Sequence, residues 1–242
     1  MCGRYTYLYK WKQLHRLMRL LEIPQDELFP RYNVKPTQKA PIVRLNERHE
    51  RVGVMLEWGL VPPWSSASGE AGQHFNARGE SMFGKPTFRA AAKERRCLVP
   101  VSGFYEWQKV EGEKYKQPYW IGRVDREPFF FGGLWESWRD PAAAKDSDAP
   151  QTFDTFAIVT TAPNALMAPL HDRMPVIVAE SDWEAWLDSG SPQSAIEKML
   201  VPFGGDGYRA YPVERTGLNT ARDDAGLAAE VTPPPRSPGL FG

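Results

Sequence analysis

The residue with the most unusual chemical potential is Cys2, directly behind the initiator methionine. Removal of Met1 leaves a primary amine and a thiol on one residue, a pair that no internal cysteine offers. An unperturbed α-amine titrates near ~7.7–8.0 and a thiol near ~8.5, so neutral amine and thiolate coexist around neutrality. An aldehyde condenses with such an amine to an imine, and the adjacent sulfur then closes a five-membered thiazolidine. Closure is intramolecular and gains from proximity. Position alone supports equally a small apolar residue at the start of the first strand.

Three further segments concentrate polar groups. In His74-Phe75-Asn76-Ala77-Arg78-Gly79-Glu80, Asn76 both donates and accepts hydrogen bonds and Arg78 suits a phosphate, although a loop braced by an Arg–Glu pair fits as well. In the run Arg96 to Trp107, Glu106 sits among large aromatics, an environment that raises a carboxyl toward the range useful for proton transfer. The plain alternative is a solvent-facing strand residue, and Cys97 in the same run reads as core. In Leu170-His171-Asp172-Arg173-Met174-Pro175, His171 is suited to shuttle a proton and Arg173 to fix an anion.

The stretch Trp58-Gly59-Leu60-Val61-Pro62-Pro63-Trp64 reads first as a rigid turn anchored in the core, with a base-stacking ledge as the functional alternative. Neither a P-loop nor a dinucleotide fingerprint is present. Two cysteines with His15, His49, His74 and His171 give no paired zinc spacing, so neither metal nor cofactor is expected.

The elements that must carry these residues are mostly strands. Aromatic and β-branched runs predict strands at Ile42 to Leu45, Val52 to Trp58, Cys97 to Val101, Phe104 to Val110, Tyr119 to Val124, Phe129 to Trp135, Phe156 to Thr160 and Val176 to Val178. Hairpin turns are expected at Glu111-Gly112 and Asp125-Arg126. Trp11, Leu14, Leu17, Met18 and Leu21 predict an amphipathic helix ended by Pro24. Two short helices follow, one from a Ser181/Glu184 capping box and one from Ser191-Pro192. The fold class is therefore α+β, one domain with a β-rich core and peripheral helices. The domain is expected over residues 1–221, and residues 222–242, rich in proline and glycine, read as an extended tail.

With 30 basic and 30 acidic residues the formal charge is zero, so any nucleic-acid surface must be a local patch. The start MCGRYTYLYKWK lacks the apolar core of a secretory signal, and no apolar run is long enough to span a bilayer. A soluble intracellular protein with reduced thiols and no disulfide framework is the expectation.

Taken together and in order, Met1-Cys2-Gly3-Arg4-Tyr5, Arg31-Tyr32-Asn33-Val34, Trp58-Gly59-Leu60, Asn76-Ala77-Arg78, Cys97 through Trp107 and His171-Asp172-Arg173-Met174-Pro175 resemble the SOS-response-associated peptidase (SRAP) family of abasic-site processing proteins. The resemblance runs from Met1 to roughly Asn219. It implies a curved, partly barrel-like antiparallel sheet and a catalytic Cys2 that forms a thiazolidine with the abasic sugar in single-stranded DNA. It further implies that Asn76 positions the sugar, that Glu106 assists proton transfer, and that His171 acts as acid/base, including in reversal. Arg4, Asn33, Arg78 and Arg173 would line the DNA groove, and Trp58 and Pro62 would shape the site where the strand bends. Crosslinking and lyase-like activity is implied; general proteolysis is not expected, despite the family's name.

The resemblance also implies a monomer that protects lesions at replication forks, with replication proteins as partners, in the cytoplasm or nucleoid of a bacterium or the nucleus of a eukaryote. Two segments depart from the family pattern: the insertion-like Asp140 to Gln151 and the loosely matching Thr216-Gly217-Leu218-Asn219. Two other classes remain as alternatives. An N-terminal-nucleophile glutamine amidohydrolase also begins with Cys-Gly after processing, and a noncatalytic single-strand binding module would stack bases on its aromatics.

Overall fold

Five strands close into a ring. In the computed structural model, which describes residues 2–25, 27–66, 73–139 and 152–232, β1 (Tyr5–Tyr7) and β2 (Arg31–Val34) lie outside this ring, and β3 (Lys39–Leu45) and β4 (Arg51–Trp58) form its first hairpin. After β5 (Asn76–Arg78), strand β6 (Arg96–Val101) pairs antiparallel with β3. Beyond β7 (Gly103–Gln108) and β8 (Gln117–Arg123), β9 (Phe129–Arg139) pairs with β6 and with β10 (Thr152–Thr161), and β10 closes the ring by pairing parallel with β4. Closure removes the free edges that long apolar strands would otherwise expose.

Where β4 ends, β10 takes β5 as its parallel neighbour, with Ile158 opposite Asn76 and Thr160 opposite Arg78. The short β11 (Met174–Pro175) pairs antiparallel with the same end of β10. The second sheet has the order β12-β8-β7-β1-β2, with β12 at Tyr208–Pro212. It packs on the ring through aromatic contacts: Tyr5 and Phe104 meet Phe131 at centroid distances of 6.4 and 5.5 Å. The expected α+β class with a curved, partly barrel-like, largely antiparallel core is what the chain adopts.

The helices are peripheral. α1 (Trp11–Met18) buries Trp11, Leu14 and Met18, but it stops at Arg19, whose φ of 50° is left-handed, well before Pro24. Leu21 is consequently exposed. α2 (Pro86–Glu94) was not expected; only Phe88, Ala91 and Ala92 of it are buried, too few apolar positions to show a period. Buried Arg96 joins α2 to α3 (Trp183–Leu187) by donating to the carbonyls of Ala92, Lys93, Trp186 and Asp188, where helix C-termini leave acceptors unmet. The expected Ser181/Glu184 capping box does not form: Asp182 is the N-cap and makes no side-chain cap bond. In α4 (Gln193–Met199) Pro192 stands at the N-cap position. Val176 to Val178 is not a regular strand; it is extended chain bonded to Phe130, Gly132 and Val159. The expected turns at Gly112 and Arg126 both carry positive φ, at 79° and 61°.

Residues 222–232 were read as part of an extended tail, and the structure packs them instead. Leu227 is buried in a second small core with Tyr105, Trp120, Tyr211, Val213 and Leu218. Asp223 accepts from the backbone N–H groups of Tyr32 and Asn33 and pairs with Arg31. One leucine and one aspartate outweigh the local composition because both find distant partners, Asp223 on β2 and Leu227 in a core that reaches back to Tyr105. The four prolines from Pro233 to Pro238 and the insertion Asp140 to Gln151 lie outside the described residues.

Candidate active site at the start of the first strand

Strand pairing brings the first cluster together. Tyr5 pairs with Phe104 and Thr6 with Gly103, and the N–H of Tyr105 donates to the Arg4 carbonyl at 3.0 Å. Continued antiparallel, this register sets Cys2 and Gly3 beside Glu106 and Trp107. From the ring, Asn76 at the head of β5 donates its carboxamide N–H to the Cys2 carbonyl at 2.9 Å. Its Oδ1 is buried with no hydrogen-bond partner among the described residues. An acceptor left unmet in a buried site is costly unless a ligand group completes it.

Electrostatics differ from the sequence expectation at one point. Cys2 is fully buried, and burial, reinforced by the negative charge of Glu106, drives its thiol well above the ordinary range. The shift favours the thiol over the thiolate around neutrality. Glu106, 1% exposed, is pushed up to about 7 by burial. A carboxyl poised there can donate and accept protons in turn.

His171 ends the loop that follows β10. Its N–H donates to the Met167 carbonyl at 2.9 Å, and the Arg173 N–H donates to its Nδ1 at 3.0 Å. Asp172 also lies 2.7 Å from Nδ1, a contact that requires a proton there. The backbone donation and the Asp172 contact thus demand opposite forms of Nδ1. Burial lowers the His171 pKa, which favours the neutral ring with Nδ1 accepting and Nε2 carrying the proton. Gln108, two residues after Glu106 on β7, donates to the carbonyl of Pro169, two residues before His171, at 3.2 Å, and Lys116 acts electrostatically on both groups.

The DNA-groove residues divide. Arg78 is exposed and makes no hydrogen bond or ion pair among the described residues. Half-buried Arg4 reaches only the Gly3 carbonyl at 3.4 Å, its Nε has no partner, and burial lowers its pKa. Arg173 is engaged: its guanidinium grips Glu80 through two bonds of 2.6 and 2.8 Å and donates to the Thr160 carbonyl at 2.7 Å. The Arg–Glu brace foreseen for the Asn76 segment therefore exists, with Arg173 rather than Arg78 as the cation.

Three residues named from the sequence face inward. Asn33 is buried and donates to the carbonyls of Leu218 and Arg222, which fastens the C-terminal segment. Trp58 has no exposed surface; its indole N–H bonds the Phe75 carbonyl at 2.8 Å and its rings meet Tyr5 and Phe156. Pro62 is buried next to it. None of them presents a face to a DNA strand. Trp64, at the far end of the same stretch, is 59% exposed, and Lys35 lies close enough to Arg4 for their charges to oppose each other. The sequence carried a signal for Trp64, as the second indole around the proline pair, and none for Lys35.

Among the described residues no three or more His, Cys, Asp or Glu side chains gather to hold a metal ion, and no helix is long and apolar enough to cross a membrane.

Comparison with known proteins adds sequence and structural relatives. The family model described as SOS response associated peptidase (SRAP) matches residues 1–219. The chain is 33% identical over 215 residues to the abasic site processing protein YoqW of Bacillus subtilis, spanning 88% of this chain and 92% of the relative. It is 31% identical over 210 residues to the abasic site processing protein HMCES of Pongo abelii, spanning 73% of this chain and 59% of that one. A crystal structure of a protein from Bacteroides thetaiotaomicron superposes with a TM-score of 0.81 at 26% identity, covering 96% of this chain and 100% of the other.

Proposed function

The chain belongs to the SOS response associated peptidase (SRAP) family, and from that premise we propose that it processes abasic sites, capturing them in single-stranded DNA as a covalent adduct of Cys2. The relatives named as abasic site processing proteins support the substrate class. The observation that carries the reading here is the Asn76 bond to the Cys2 carbonyl, which holds the reactive residue beside a carboxyl poised near neutrality.

Once Met1 is removed, the α-amine of Cys2 attacks the open-chain C1′ aldehyde of the abasic sugar. Protonated Glu106 gives its proton to the departing hydroxyl, water leaves, and a protonated imine remains beside the Glu106 carboxylate. The thiol then adds to the imine carbon as its proton passes to the Glu106 carboxylate, which restores the carboxylic acid and leaves a neutral ring nitrogen. The sum is aldehyde plus aminothiol giving thiazolidine plus water. Burial of the thiol suits this order, because a sulfur kept protonated waits for an electrophile formed next to it. His171, neutral with a proton on Nε2, serves the sugar as acid/base and assists reversal. Asn76 Oδ1 offers an acceptor to a sugar hydroxyl. Arg78 and Arg4 hold phosphates, and Trp64 supplies a face on which a base stacks.

The test is incubation with a single-stranded oligonucleotide carrying one abasic site, followed by denaturing electrophoresis. The reading expects a denaturation-resistant band with wild type and none with Cys2→Ala. Bands of equal strength from both proteins would overturn it.

A further inference from the structure

We propose that Asn164 is the positioning residue for His171: its side chain fixes the turn that holds the imidazole in the site. The inference rests on the role given to His171, and it concerns a residue seven positions away that touches no reacting atom.

Both ends of the Asn164 carboxamide are committed. Oδ1 accepts from the Met167 N–H at 2.9 Å, and Nδ2 donates to the Phe203 carbonyl at 2.9 Å. The Asn164 carbonyl accepts from the N–H groups of Met167 and Ala168, and its own N–H reaches the sulfur of Met174 at 3.3 Å. The next link is Met167, fully buried, whose carbonyl accepts from Leu170 and His171 at 2.8 and 2.9 Å. A continuous path therefore runs from the Phe203 carbonyl through Asn164 and Met167 to the backbone of His171.

Asparagine alone among short side chains supplies a donor and an acceptor at this reach. Aspartate cannot donate to Phe203, and an apolar residue leaves the Phe203 carbonyl unmet and the Met167 N–H with the Asn164 backbone carbonyl alone. On the other side of His171, Arg173 ties the chain to Glu80, and Gln108 donates to the Pro169 carbonyl at 3.2 Å. The loop is thus held to the turn Gly79–Ser81 that follows β5, to the end of β7 and to the 203 segment, and Asn164 is the anchor whose bonds lead into the turn itself.

The test uses full-length protein and follows His171 by NMR titration in wild type, Asn164→Ala and Asn164→Ser. The charged groups that act on the ring, Asp172, Lys116 and Arg173, are unchanged in all three. With Asn164→Ala the imidazole should leave its half-buried setting, and its pKa should rise toward the ordinary histidine value. Asn164→Ser, which keeps an acceptor for the Met167 N–H, should fall between. Adduct release should slow by about 10- to 100-fold in Asn164→Ala with DNA affinity unchanged, and in a His171→Ala background the same change should cost nothing more.

An unmoved titration, or an equal penalty with and without His171, overturns the assignment. If His171→Ala itself leaves release unaltered, the chemical role of His171 fails, while the titration still decides whether Asn164 places the ring.

Discussion

Asn76 and Cys2 are joined by a hydrogen bond of 2.9 Å from carboxamide to backbone carbonyl, across 74 residues of chain. The bond ties Cys2 through β5 to the ring strand β10. Asn76→Ala removes that tie and the only side-chain donor on the Cys2 carbonyl among the described residues. Capture of abasic DNA should slow by about 100-fold with little change in thermal stability, measured by quenched-flow gels and calorimetry.

Glu106 gives a pH signature. Its pKa rises from 4.5 to about 7 on folding, so the folded state binds the proton more tightly than the unfolded one. The stabilisation is full below about pH 4.5 and is lost as pH climbs through 7, on the order of 3 kcal/mol across the window. Glu106→Gln should lack this loss, so in urea titrations the variant gains on wild type between pH 5 and 8 while its capture rate drops.

Arg78 and Arg173 should separate in salt titrations. Arg78→Ala removes a cation without a protein partner, which should weaken binding to single-stranded DNA and lower the salt slope by about 0.7. Arg173→Ala breaks the brace to Glu80, so its main effect should be on adduct kinetics and on the titration of His171. Equal salt slopes for Arg78→Ala and wild type would contradict the phosphate role.

The two indoles of the 58–64 stretch should behave in opposite ways. Trp58→Ala empties a buried site and should cost about 3–5 kcal/mol of stability. Trp64→Ala should leave the melting temperature in place and cost about 1–3 kcal/mol of single-strand affinity through lost stacking.

The candidate residues could be named from sequence because they sit in short linear segments. Cys2, Asn76, Glu106 and His171 each stand in a segment whose residue types suggest a use, and the strand that carries Glu106 follows from its aromatic run, whereas the three-residue β5 that carries Asn76 has no such run. What escaped was pairing over long separations. Nothing local reveals that Arg173 meets Glu80 rather than a phosphate, that Asn33 turns inward to residues 218 and 222, or that Asp223 anchors β2. The sequence left burial of the Cys2 thiol open, since position alone fits a small apolar residue at the start of the first strand as well, and the fold buries it fully.

The central claim is that amine and sulfur of Cys2 act together, and intact-mass measurement of the protein before and after exposure to an abasic oligonucleotide tests it most directly. The account predicts protein lacking Met1 and an adduct equal to protein plus oligonucleotide minus one water, with no such species from Cys2→Ala. An adduct on protein that still carries Met1 would contradict it.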